Sequence, residues 1–172
     1  MRLNAPVRVK IMKIEFDVQM TTAKMYDYML RHTFTSFGGI IGEALGVILV
    51  AGFFVSETNK WLYLVAGMVC LFYQPIALYY RSKLQVSRNE VFKKPLHYML
   101  DDAGITVKSG ENEDSMSWDK LYRAVSTNRS IIVYTNRYNA CIFPKEDLGP
   151  KKDEVIKAIS THMDPKQVNI KC

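Results

Sequence analysis

Cysteine and histidine are scarce in this chain, three of each in 172 residues, and they stand apart. Cys70 lies in an apolar run, Cys141 in a strand-like run and Cys172 at the last position, so the chain reads as reduced and without a disulfide framework. His32, His97 and His162 fall at no metal-ligand spacing from a cysteine or carboxylate. Glycine-rich phosphate loops and nucleophile elbows are also missing. No enzyme, cofactor or metal is expected from these residues.

Charge is missing from two stretches. Thr33 to Val55 carries one formal charge, Glu43, and Trp61 to Tyr80 carries none. At ~1.5 Å per residue each run is long enough to cross a hydrocarbon core of ~30 Å. The mean hydropathy of −0.07 averages these blocks with a charged remainder and hides both. The first run starts after thirty-two residues with an alternating segment of their own, which argues against a cleaved signal peptide. Cys172 lacks the three following residues of a prenylation box.

What the chain has in excess is positive charge, +6 overall. Lys24 and Arg31 precede the first run, and Arg81, Lys83, Arg88, Lys93 and Lys94 follow the second, while the Ser56 to Lys60 loop between the runs offers only Glu57 and Lys60. This is the positive-inside pattern: a multi-pass protein of the cytoplasmic (inner) membrane with both termini cytoplasmic. The five basic residues after the second run are also placed to contact lipid headgroups, at roughly 1 kcal/mol each near an anionic surface. Membrane lipid, rather than nucleic acid, is the expected partner of the charge.

Three regions follow: 1–32, a cytoplasmic strand and short helix; 33–80, a two-span transmembrane hairpin; and 81–172, a cytoplasmic domain. Val7, Val9 and Ile11, then Ile14, Phe16 and Val18 after a slip at Met12, suggest one bulged strand. Thr21 and Thr22 offer a cap to a helix carrying Met25, Tyr26, Met29 and Leu30. After Pro95, strands are expected at His97–Asp101, Ile105–Ser109, Met116–Val125, Ser130–Thr135 and Tyr138–Phe143. The turns are Asp102-Ala103-Gly104, a loop Gly110 to Asp114, and Asn136-Arg137, and a helix runs from Pro150 to near His162. The fold class is a membrane α-helical hairpin plus an α+β domain, with an antiparallel sheet capped by a C-terminal helix. Because two spans return the chain to the side it left, the N-terminal strand can join that sheet.

Within the spans, Glu43 costs ~2.5–3.5 kcal/mol at mid-bilayer, against ~0.3–0.6 returned by each strongly apolar residue. The twelve Val, Ile, Leu and Phe residues of the first run outweigh it, less the effect of five glycines. Counting from the tip, Tyr73 and Gln74 lie at the depth of Glu43, so either could hydrogen-bond it as an interhelical clasp, worth ~0.6–2 kcal/mol. The same carboxyl also reads as an ion or proton site. Gly38, Gly42 and Gly46 repeat every four residues and form a smooth packing stripe, open to the second span or to another copy of the chain. Trp61, Tyr63, Tyr79 and Tyr80 sit at span ends as interfacial anchors. Trp118 reads as core, and Asp101-Asp102 as turn chemistry.

The strings Asp102-Ala-Gly-Ile-Thr-Val107, Ser117-Trp-Asp-Lys-Leu121, Ile131-Ile-Val-Tyr134 and Ala140-Cys-Ile-Phe-Pro-Lys145, in that order before a terminal helix, resemble the YcxB-like family of small bacterial membrane proteins. The resemblance implies an N-terminal strand, a two-helix membrane hairpin and a cytoplasmic domain similar to pleckstrin-homology folds. It carries no catalytic residue. The expected function is a non-enzymatic membrane protein tethering a small binding domain, with a protein partner, lipid or both. The alternative is a homo-oligomer built on the glycine stripe and Glu43, as a small transport subunit or an immunity factor against membrane-active peptides.

Overall fold

The computed structural model describes residues 13–170. These form two compact units, residues 20–93 and residues 13–19 with 94–170. The first half of the expected bulged strand, and Cys172, lie outside the described residues.

Three helices make up the first unit: α1 (Thr22–Phe34), α2 (Phe37–Val55) and α3 (Lys60–Arg88). Thr21 Oγ1 caps α1 by accepting from Lys24 N–H at 3.3 Å, as the sequence suggests. The expected first span, however, begins four residues late. Thr35 closes α1, its Oγ1 donating to Arg31 O at 2.7 Å, and Ser36 opens α2 by accepting from Gly39 N–H at 3.2 Å. These two hydroxyl residues satisfy one helix end and one helix start in succession, so Thr33 and Phe34 belong to α1. At the other end α3 continues eight residues past Tyr80, through Pro75 and on to Arg88.

The second unit is α+β. Antiparallel strands β1 (Ile14–Val18), β2 (Leu96–Leu100), β3 (Gly104–Ser109) and β4 (Asn112–Ser117) form one sheet in chain order. The N-terminal strand does join the sheet, with Ile14 opposite Leu100 and Val18 opposite Leu96. A second sheet has the order β7-β6-β5-β8, from β5 (Arg123–Ser126), β6 (Ser130–Tyr134), β7 (Ala140–Pro144) and β8 (Val168–Asn169). Helices α4 (Lys145–Leu148) and α5 (Lys152–His162) follow β7. The core joins Phe16 and Tyr98 of the first sheet to Phe143 of the second, with ring centroids 4.9–5.6 Å apart. All five residues of β6 are buried, and α5 adds Val155, Ala158 and Ile159 to the interior.

Several sequence expectations change here. The single strand Met116–Val125 is two, because a 3-10 turn at Trp118–Lys120 carries the chain from one sheet to the other. The loop Gly110–Asp114 shrinks to two residues: Gly110 has φ +62°, the backbone a primed hairpin turn requires, and Lys108 and Glu113 pair across the strands at 2.9 Å. Conversely, the Asn136-Arg137 turn widens to residues 135–139, organised by Asn136 Oδ1, which accepts from Tyr138 and Asn139 N–H, both at 2.8 Å. The parallel strand β8 and the four-residue α4 are too short to leave a periodic trace in sequence.

Candidate functional site

The hairpin of α2 and α3 is built on close approach at glycines. A Cβ on Gly46 would stand 2.7 Å from Leu71 Cδ2, and one on Gly42 2.7 Å from Gln74 Nε2. Gly67 of α3 answers them: a Cβ there would lie 2.8 Å from Val50 N and 3.0 Å from Gly46 O, which is backbone on backbone. Gly42 and Gly46 thus receive the second helix, one of the two partners the sequence left open, whereas Gly38 meets nothing within 4 Å and is outside the contact. Sequence reading passed over Gly67, whose only signal is one small residue at the depth of Val50.

Glu43 and Gln74 are brought together in depth but not in bonding. Glu43 Oε1 and Gln74 Oε1 are both buried and neither has a hydrogen-bond partner, while Tyr73 is 65% exposed. The expected clasp from Tyr73 or Gln74 to Glu43 is not formed. Gln74 lies over Gly42 and fills the gap that the glycine leaves, and Glu43 is about 100° further round α2.

Beyond the apolar stretch, α1 covers one face of α3. Met25 and Leu78 are buried, Tyr26 meets Tyr79 edge-on at 5.8 Å, and the buried Ser82 hydroxyl donates to Leu78 O at 2.7 Å and lies 3.2 Å from Met29 Sδ. Adjoining it, a shallow open face of α3 carries Arg81, Leu84, Gln85, Arg88 and Asn89. The five basic residues read from sequence therefore separate. Arg81 and Arg88 share this face, two turns apart, and among the described residues neither makes an ion pair. Lys83 is about 200° round the helix from Arg81. Lys93 pairs with Glu90, and Lys94 lies beside Gly110. At the other end of the helices, Trp61 packs on Phe53 at 5.3 Å, with the Lys60 ammonium 6.0 Å over the same ring.

In the α+β unit, Asp101 organises a turn rather than chemistry: its Oδ1 accepts from Ala103 N–H at 2.8 Å and from Gly104 N–H at 3.1 Å. Trp118 is buried as expected, its indole N–H donating to Asp101 O at 2.8 Å and its ring stacked on His162 at 4.9 Å. His162 Nε2 is 3.6 Å from Asp102 Oδ1. Burial raises the Tyr98 hydroxyl and pushes the Cys141 thiol up to about 12. On the surface, the hydrogen bond from Lys13, 2.6 Å away, lowers Glu15. Among the described residues, no group of three or more His, Cys, Asp and Glu side chains is placed to hold a metal.

This turn, the Trp118 step between sheets and the strands up to α5 form one continuous segment. Residues 100–163 match the YcxB-like protein family. The YcxB-like segment starts at the last residue of β2 and ends just past α5. It contains all four strings on which the resemblance was drawn and lies wholly within the α+β unit. No curated protein matches the chain.

Proposed function

We propose that the chain is a membrane-anchored binding protein: α2 and α3 cross the inner membrane as a hairpin, and the YcxB-like unit works at the cytoplasmic surface by docking a protein partner. The observation that carries this reading is exposure. Both helices are long and apolar enough to span, and only 11% of each apolar window is buried. A core helix of a soluble protein would bury most of that surface. Phe37, Ile48, Phe54, Leu62, Val69 and Phe72 are all more than half exposed, three on each helix. Lipid is the solvent that such a surface suits.

The orientation follows from the charge. The tip from Ser56 to Asn59 carries one acid and no base, whereas arginines and lysines gather at the opposite end of α3. What supports a pleckstrin-homology-like reading of this unit is the order of a four-stranded meander, a three-stranded meander and then the helices α4 and α5, with β8 added at an edge. Nothing in this reading asks the unit for catalysis.

Cross-linking with mass spectrometry in native membranes tests it. Partner peptides joined to Lys108, Lys120 or Lys157 are the expected result. Self-links alone, with a discrete oligomer mass, would replace it with an embedded homo-oligomer, and release of the protein by alkaline carbonate would remove the anchor altogether.

A further inference from the structure

The outer strands of the first sheet are guarded by charge: the Lys151 ammonium donates to Glu15 O on β1, and β4 exposes Glu113 and Asp114. The second sheet is covered differently at β5. On one side β6 pairs with all four residues of β5, whereas on the other β8 pairs with two, Val168 opposite Ala124 and Asn169 opposite Val125. This pair is parallel, the slightly weaker arrangement, while every other strand pair among the described residues is antiparallel. Ala124 and Val125 are buried, so the strand beneath β8 belongs to the core. The segment that covers it does not: the interior ends at Met163, residues 164–167 and Asn169 are exposed, and Val168 and Ile170 are half-buried. The match to the YcxB-like family also stops at residue 163, so the covering segment lies outside it. Two paired residues and two half-buried branched side chains can open locally without disturbing the rest of the unit.

We propose that the outer edge of β5 is a strand-accepting docking site for an extended segment of a protein partner, and that residues 164–170 occupy it in the partner's absence. The seated segment shows the chemistry that fits: a strand parallel to β5, with branched apolar side chains at alternate positions, as Val168 and Ile170 are, and a polar residue between them, as Asn169 is. Main-chain bonds to Ala124 and Val125 supply affinity in such an addition, and the alternate side chains supply specificity. A partner strand must first displace the resident one, which holds the site at the high local concentration of a short tether. The site rests on the reading of the α+β unit as one that docks a protein partner, and it names the form that partner takes.

The test uses the full chain in nanodiscs and a fluorescein-labelled synthetic peptide of residues 164–170 as the probe, with binding read by anisotropy. Val168→Pro/Asn169→Pro removes the main-chain donors of β8 and frees the edge, so this variant should bind the peptide about tenfold or more tightly than the parent. The peptide should also restore deuterium protection to the variant's residues 122–126, and a peptide carrying Val168→Pro should do neither. The unsubstituted chain gives the same answer without any change to its fold: excess peptide should exchange with the resident segment and speed deuterium uptake across residues 164–170. Equal binding by parent and variant, no binding by either, or an unchanged uptake in the parent would overturn the site. A dimeric parent beside a monomeric proline variant would make a second copy the occupant and overturn exchange with a partner. Partner cross-links to Lys108, Lys120 or Lys157 in a chain whose edge takes no peptide would overturn the edge while leaving membrane-anchored docking in place.

Discussion

Replacing Gly67 by alanine adds one methyl where α3 crosses α2, at a point where backbone as well as side chain stands in its way. The new Cβ would be 2.7 Å from Val50 Cγ2, 2.8 Å from Val50 N and 3.0 Å from Gly46 O. Valine can rotate away; the backbone atoms cannot. Restoring ordinary contact, near 3.5 Å, means parting the helices by roughly half an ångström or more, which weakens dispersion along the whole interface. Overpacking of this kind costs ~1–3 kcal/mol. Gly46→Ala meets the end of the Leu71 side chain, a softer neighbour, and should cost less, and Gly38→Ala meets nothing and should gain up to ~1 kcal/mol from helix propensity. Reversible unfolding of the full chain in mixed micelles, followed by helical circular dichroism, would rank the three. Gly67→Ala as stable as Gly38→Ala would refute the backbone-to-backbone crossing and the packing register built on it.

Gly104→Ala should destabilise the α+β unit, because the added Cβ collides with Met116 O on the neighbouring strand; a fall of ~1–3 kcal/mol in denaturant unfolding is expected, and an unchanged midpoint would contradict the close approach. Trp118→Phe keeps the stack on His162 but removes the bond to Asp101 O, so it should cost ~0.5–1.5 kcal/mol, against ~3–5 for Trp118→Ala. Cys141 holds its proton in the folded unit to about 12, against an ordinary value of 9.0. Once unfolded the thiol ionises above pH 9, so stability should fall as pH rises from 9 towards 12, and Cys141→Ala should flatten that slope. Native Cys141 should also resist alkylation at pH 8 until the unit is unfolded.

What could be read in the sequence was whatever repeats over a dozen residues or is capped by a recognisable side chain. The Thr21 cap and the strands β2, β3 and β6 fall within a residue of where turn residues and periodicity put them, and both uncharged runs are helical although their ends shift. What escaped was decided by single atoms or by distant chain. The helix break at Thr35-Ser36 depends on two hydroxyls inside an uninterrupted apolar pattern. The switch of sheets at Trp118 depends on an indole bond seventeen residues back along the chain. In the hairpin, depth could be counted, and so could the ~100° between Gly42 and Glu43, but not that Gln74 would settle over the glycine rather than the carboxyl. The basic residues counted alike in sequence and became distinct only when α1 took one side of α3.

The pairing of β1 with β2 makes the helical unit an insertion within a single sheet: Val18 faces Leu96, with α1, α2 and α3 between them. During synthesis at ~5–20 residues per second, the first strand therefore waits several seconds for its partner, and all three helices must be made in the interval. An unpaired strand edge for that long is an invitation to the wrong neighbour. The sheet closes only after the chain has come back to where it started, so completion of the α+β unit reports that the helical hairpin has been made.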